Sequence, residues 1–91
     1  MSSKNTTFKE LQENYHKISE KYKELYGNTD YLDLPVEGCE LLVEKLEADL
    51  KLKEAKYDEI IFNRCHKPVI MHRIGRIRSR IRSQKFLESK V

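Results

Sequence analysis

Residues 36–64 read VEGCELLVEKLEADLKLKEAKYDEIIFNR and contain the longest periodic pattern in the chain. Successive members of one series in this stretch are three or four residues apart. The members are Val36, Cys39, Val43, Leu46, Leu50, Lys53, Tyr57, Ile60 and Arg64. This alternation is the heptad pattern of an α-helix that packs along another helix. The stretch therefore predicts a long helix with a coiled-coil-like seam.

The same helix has a second apolar face and an acidic flank. The second face consists of Leu41, Ala48, Leu52, Ala55 and Phe62. A helix that is apolar on two sides is expected to lie between two other helices. When the series is read as heptad positions a and d, Glu40, Glu47 and Glu54 fall at position e. We therefore expect this flank to face basic side chains.

Prolines and a capping residue predict the ends of this helix. Asp33 is a suitable N-cap, and Pro35 in the first turn lacks an amide proton that would have no helical partner in any case. Pro68 is expected to break or kink the helix, because its ring clashes with the carbonyl group four residues earlier. These signals predict a second helix over about 34–66 and a separate third helix after it.

A shorter helix is predicted over about 7–26. Thr7 and Glu10 have the spacing of a capping box, and Gly27 can adopt the left-handed conformation that ends a helix. Apolar residues recur between these signals at spacings of three and four. They are Phe8, Leu11, Tyr15, Ile18, Tyr22 and Leu25. The pattern fits a coiled coil and one face of a helical bundle nearly equally well, because it covers few heptads.

The third predicted helix, over about 68–87, includes the stretch RIGRIRSRIRS at 73–83. At 100° per residue its four isoleucines fall within an arc of roughly 60°. They are Ile70, Ile74, Ile77 and Ile81. Basic residues line both edges of this stripe, a position from which charges select a partner helix. The simplest packing places this helix back against the acidic flank of the second helix. Exchange of that contact between two chains, or with another protein, is an alternative.

Length and charge indicate one small domain with an uneven charge distribution. The 91 residues predict a single helical domain over 1–91 with a basic C-terminal helix at 68–87. Residues 1–62 carry nine Lys or Arg and fourteen Asp or Glu, a net charge of −5, whereas residues 63–91 carry nine and one, a net charge of +8. No apolar run approaches the ~18 residues of a membrane span, and the start of the chain lacks a secretory signal. We expect an intracellular protein, cytoplasmic or nuclear, with both cysteines reduced.

We interpret the chain as a non-enzymatic, all-α assembly or adaptor subunit, organised as a helical hairpin or bundle and oligomeric or part of a larger complex. Its partner would be another protein or a second copy of the chain. The predicted partner-binding seam consists of Phe8, Leu11, Tyr15, Ile18, Tyr22, Leu25, Leu46, Leu50, Tyr57, Ile60, Ile70, Ile74, Ile77 and Ile81. A membrane partner is not expected, because the apolar face of the basic helix is narrow and lacks Trp.

The alternative interpretation is a nucleic-acid-binding module or small regulator that uses the basic segment 64–90. Its cations could follow a phosphate backbone and release counterions from it. The candidate polyanion-binding residues are Arg64, Lys67, Arg73, Arg76, Arg78, Arg80, Arg82 and Lys85. Aromatic residues that could stack on bases are scarce in this segment, where Phe86 alone lies among the cations.

Catalytic, cofactor and metal sites are not predicted. Cys65, His66, His72 and Cys39 are metal-ligand types, but their spacing matches no familiar zinc site. None of the histidines lies beside a serine or cysteine in a context that would activate it. The three glycines are too scattered to form a phosphate-binding loop.

Overall fold

The computed structural model describes residues 8–89, and within them every regular element is helical. Helix α1 spans Phe8–Tyr26 and helix α2 spans Val36–Lys56, with a short 3-10 turn at Tyr31–Asp33 between them. A short α3, Glu59–Ile61, leads through a π-helical turn, Phe62–His66, into α4, Lys67–Ser89. We call the continuous segment 59–89 the C-terminal arm.

Helix α2 is the centre of the fold, because α1 and α4 both pack along it. The prediction that a helix apolar on two sides lies between two others is therefore confirmed, as is the all-α class with three main helices. The core residues come from all three helices and from the loop before α2. They are Tyr22, Leu34, Cys39, Leu41, Leu42, Val43, Leu46, Ile70, Ile74 and Ile77, with Ile18, Tyr26, Leu50 and Ile81 at the edge.

The isoleucine stripe of α4 is buried against its own chain. Ile70, Ile74 and Ile77 are nearly inaccessible, and Ile81 is partly buried at the end of the same stripe. The arm therefore folds back along α2, as the simplest packing predicted. Burial of a large aliphatic side chain contributes about 1.5–3 kcal/mol, so this stripe is a principal source of the attraction between the two helices.

The predicted end of the first helix is confirmed in detail. Gly27 has φ +60°, and its N–H donates to the carbonyl of Lys23 at 2.9 Å. This bond satisfies a helix-terminal carbonyl that would otherwise have no partner, and glycine adopts the required backbone conformation without a Cβ clash. Thr7 of the predicted capping box lies outside the described residues.

The predicted N-cap residue of the second helix was wrong. Pro35, not Asp33, occupies the N-cap position of α2, and the carbonyl of Pro35 accepts the N–H of Cys39 at 3.0 Å. Asp33 instead closes the preceding 3-10 turn, where its N–H donates to the carbonyl of Asp30. Leu34 is buried between these two elements and anchors the start of α2 in the core.

The break between the second and third helices lies at Tyr57–Asp58, ten residues before Pro68. The predicted boundaries, 34–66 and 68–87, were therefore wrong at this junction. Tyr57 is extended, with φ −105° and ψ 157°, and the Asp58 carboxylate accepts the N–H of Ile60 at 2.8 Å. Asp58 thus acts as the N-cap of the new segment and offsets the loss of helical hydrogen bonds at the break.

Pro68 is accommodated inside the arm by the π-helical turn that precedes it. The N–H of Lys67 donates to the carbonyl of Phe62, five residues earlier, instead of to the residue four earlier. This wider turn disturbs the regular ladder at the place where Pro68 supplies no N–H and its ring needs space. The buried Phe62 side chain holds the turn against the core side of the fold.

Candidate polyanion-binding surface and groove

Two ion pairs join the acidic flank of α2 to α4, as the charge pattern predicted. Arg78 contacts the carboxylate of Glu47 at 2.5 Å, and Lys85 contacts that of Glu40 at 3.3 Å. The two glutamates are seven residues apart, as are the two cations, so the pairs repeat once per heptad along antiparallel helices. All four side chains are about half exposed, so each pair is expected to add less than about 1 kcal/mol.

Arg80 is directed toward the chain's own core. Its guanidinium donates to the carbonyl of Leu32 in the 3-10 turn and also interacts with the thiol of Cys39. Burial raises the pKa of Cys39, whereas the charge of Arg80 acts in the opposite direction. Three of the predicted polyanion-binding cations, Arg78, Arg80 and Lys85, are therefore engaged within the fold.

The other five predicted cations are exposed, and none of them forms an ion pair with another residue in 8–89. They are Arg64, Lys67, Arg73, Arg76 and Arg82. On α4, Arg73 and Arg76 lie on one edge of the buried stripe and Arg82 lies toward the other. We call this exposed, basic side of α4 its outer face.

Small and polar residues form the middle of the outer face. Gly75 has open space where a Cβ would lie, with no atom within 4 Å. Ser79 and Ser83 follow at intervals of one turn, and with Leu32 and Arg76 they line a shallow cleft of about 540 Å³. The middle of this face is therefore a shallow cleft with small side chains, and the exposed apolar side chain of Leu32 and the arginines lie at its edges.

A second concavity, which we call the α1–α4 groove, lies where α1 and α4 flank α2. Its larger part, about 480 Å³, is lined by residues of the 27–30 loop and of all three helices. They are Tyr22, Gly27, Asn28, Thr29, Asp30, Leu42, Lys45, His72, Arg73, Arg76 and Ile77. A smaller part, about 110 Å³, shares Leu42, Lys45 and Arg73 and extends to Tyr15 and Asp49.

Tyr22 and Lys45 are in direct contact in this groove. The ammonium of Lys45 lies 5.1 Å from the centre of the Tyr22 ring, within the range of a cation–π interaction. Burial raises the pKa of Tyr22, with smaller contributions from Cys39, Tyr26 and Asp30. The Tyr22 hydroxyl is therefore protonated at neutral pH and keeps a proton to donate.

The predicted partner-binding seam divides into a buried, a partly buried and an exposed group. Tyr22, Leu46, Ile70, Ile74 and Ile77 are buried, whereas Phe8, Leu25 and Ile60 are exposed. The others are partly buried: Leu11, Tyr15, Ile18, Leu50, Tyr57 and Ile81. In this conformation the buried members contact their own chain, so the exposed members are the ones that a partner can reach.

Sequence reasoning missed Lys45, the 27–30 loop and the position of His72 beside them. Lys45 was not distinguishable from other surface lysines, since its position depends on how α1 and α4 are arranged around α2. Tyr15 and Tyr22 were assigned to a seam, although both also line the groove beside Arg73. These two aromatic residues are far in sequence from the basic segment, which itself contains Phe86 alone, so their position beside its cations was not apparent from the sequence.

The histidines and cysteines do not converge on a site in the described part of the chain. No group of three His, Cys, Asp or Glu residues in 8–89 could hold a metal ion. His66 stacks on Tyr57, with ring centres 4.3 Å apart. Cys39 is buried and Cys65 is exposed, and both are free thiols. Among residues 8–89, no helix has the length and apolar character needed to cross a membrane.

Comparison of the chain with models of known protein families, with curated proteins and with solved structures finds no match.

Proposed function

We propose that this chain is a non-enzymatic helical binding module that contacts nucleic acid through the outer face of α4. The observation that carries the proposal is the division of α4 into two sides. Its isoleucine stripe is covered by α2, whereas Arg73, Arg76 and Arg82 remain exposed without carboxylate partners among residues 8–89. A surface of unneutralised guanidinium groups suits phosphate oxygens, which bind Arg in a bidentate manner.

The composition of the outer face favours a polyanion over a partner helix. Protein interfaces have an apolar centre of aromatic and large aliphatic side chains. The centre of this face instead contains Gly75, Ser79 and Ser83, which are small enough to allow a phosphate backbone to approach closely. The exposed apolar side chains of Phe86 and Leu87 lie beside the two serines at the C-terminal end of the face. Phosphate contacts also need no sequence motif, which agrees with general attraction to nucleic acid rather than base-specific recognition.

The test is a salt titration of binding to a short oligonucleotide. The variant Arg76→Ala with Arg82→Ala removes two cations from the outer face, and Lys9→Ala with Lys17→Ala removes two exposed cations from α1. Both double variants have the same net charge. For single-stranded DNA, the slope of log K against log salt should become shallower by about 1.4 in the first variant, from about 0.7 per lost contact.

The α1 variant should behave like the wild type in that titration. Equal losses in both variants would show that net charge, not the outer face, governs binding. Absence of binding by the wild type at low salt would refute the nucleic-acid proposal outright.

A second candidate function is assembly with a protein partner, and exposed apolar residues near the break favour it. Ile60 is 65% exposed and Ile61 is 48% exposed, and both lie in the short α3. Phe8 and Leu25 are also exposed at opposite ends of α1. Neighbouring exposed apolar side chains, such as those of Ile60 and Ile61, are frequent in protein contacts.

Light scattering across a range of concentrations tests this second candidate. Self-association that disappears in the variant Ile60→Ser with Ile61→Ser would support assembly through the α3 surface. A constant monomer mass would exclude a homo-oligomer at those concentrations, and nuclease-resistant co-purification of another protein with the full chain would then decide whether a different partner exists.

A further inference from the structure

The α1–α4 groove combines cations from two helices with a smaller number of carboxylates. Lys45 enters from α2, and Arg73 and Arg76 enter from α4. Two acidic residues lie in its lining. The Asp30 carboxylate accepts the N–H of Leu32 at 3.3 Å, within its own turn.

The second lining carboxylate is also engaged. Asp49 forms an ion pair with Lys53, one turn later on α2, at 3.2 Å. Within residues 8–89, neither carboxylate forms an ion pair with Lys45, Arg73 or Arg76. The larger part of the groove is lined by three cations, Lys45, Arg73 and Arg76, and by one carboxylate, Asp30, so it has an excess of positive charge in a concave space. Low-dielectric walls strengthen the attraction of such a space for an anion.

We infer that the α1–α4 groove is a phosphate-binding site, formed by Lys45 together with Arg73 and Arg76. This inference deepens the proposed function and rests on it for the source of the phosphate, which is a nucleic-acid backbone or a free nucleotide. Lysine acts on such a group as a point charge, and the arginines supply planar pairs of N–H donors. Tyr22 also lines the groove, with its ring beneath the ammonium of Lys45.

The size of the groove agrees with a phosphate that carries further groups. Its larger part, about 480 Å³, falls in the range of small-molecule sites, and it exceeds what a phosphate group alone occupies. The smaller part continues past Lys45 and Arg73 toward Tyr15. A phosphate at the shared residues therefore has space for an attached sugar in the larger part of the groove.

A substitution of Lys45 tests the groove separately from the proposed function, because Lys45 lies on α2 and outside the basic C-terminal arm. The test compares Lys45→Ala with Lys51→Ala, an exposed lysine on the same helix that does not line the groove. With the full chain and a short single-stranded oligonucleotide, Lys45→Ala should weaken binding about ten-fold, as expected for one hydrogen bond to a charged group. Lys51→Ala should leave the affinity unchanged, and Lys45→Arg should restore most of it.

Competition with inorganic pyrophosphate and adenosine monophosphate identifies the source of the phosphate. Displacement of the oligonucleotide by either small anion, in the wild type but not in Lys45→Ala, would assign the site to free phosphate compounds. A Lys45-dependent affinity that neither anion reduces would assign it to a strand backbone.

Equal affinities for Lys45→Ala and Lys51→Ala would overturn the groove site. The proposed function would still stand if the Arg76 and Arg82 double variant had lost affinity. If the wild type bound no oligonucleotide, the proposed function would fail first. The groove would then be judged by pyrophosphate alone, where amide NMR shifts confined to residues 27–30 and Lys45 support the site and their absence overturns it.

Discussion

Truncation of Ile74 to alanine is expected to be the most damaging single change in α4. Ile74 is 2% exposed and lies in the middle of the buried stripe, between Ile70 and Ile77. Removal of a buried isoleucine to alanine costs about 2–5 kcal/mol, through lost burial and the cavity that remains. A chain of 91 residues has a total stability of about 5–14 kcal/mol, so a cost near 3 kcal/mol is a large fraction of it.

Ile60→Ala is the matched control for this change. Ile60 is 65% exposed, and the substitution removes the same atoms from a residue that is also helical. Both variants gain the same few tenths of a kcal/mol in helix propensity, because alanine is the better helix former. The difference between the two variants therefore measures the burial of Ile74, and the control should change stability by no more than about 0.5 kcal/mol.

Urea unfolding followed by circular dichroism measures both variants. With a cost near 3 kcal/mol, thermal unfolding of Ile74→Ala should shift down by roughly 12–24 °C, since 1 kcal/mol corresponds to about 4–8 °C in a domain of this size. Equal midpoints for Ile74→Ala and Ile60→Ala would refute the packing of α4 on α2. An arm that is helical but undocked would give that result, because neither isoleucine would then be buried.

Three further predictions concern backbone, charge and pH. Gly75→Ala should raise stability by about 0.5–1 kcal/mol, because the new Cβ meets open space. Gly38→Ala should lower stability, because its Cβ would lie 3.1–3.2 Å from neighbouring side chains. Thermal unfolding measures both variants. A double-mutant cycle on Glu47 and Arg78 should give a coupling of about 0.2–1 kcal/mol that declines with added salt. Burial raises the pKa of Cys39, so the unfolded state loses its thiol proton first as pH rises. The stability contributed by the neutral thiol should therefore decline as pH rises above the pKa of the unfolded thiol, about 8.5, in urea titrations of the wild type but less in Cys39→Ala.

The pairing of α2 with α4 was predictable because the charged residues and the apolar residues of these helices repeat with the same heptad period. Glu40 and Glu47 share a heptad position, and Arg78 and Lys85 share the same spacing on the returning helix. An antiparallel arrangement is the one that brings both pairs together at once. The isoleucine stripe supplied the contact itself, so the fold-back could be derived without a template.

The position of the break was not predictable from the heptad period alone. The apolar series continues through Tyr57 and Ile60, so periodicity favours an unbroken helix there. Asp58 is a good N-cap residue, but an N-cap signal inside a continuous apolar pattern is outweighed by that pattern. Pro68 does not end the helix that contains it. The cost of a helical proline depends on whether the preceding turn can widen, as Phe62–His66 does.

The groove could not be derived from the sequence because it arises from what two helices leave uncovered. Lys45 follows Leu42 by one turn, and its pattern is that of any charged residue at the margin of an apolar face. Its proposed role in the groove depends on α1 and α4 flanking the same side of α2, which places Arg73 beside it from 28 residues away. A sequence pattern states which face of each helix is buried, but the angle between the two outer helices follows from side-chain packing at both contacts. That angle determines whether the cations of α4 project separately into solvent or line a concave surface with Lys45. A concave arrangement of cations is what distinguishes a phosphate site from a helix that is only basic.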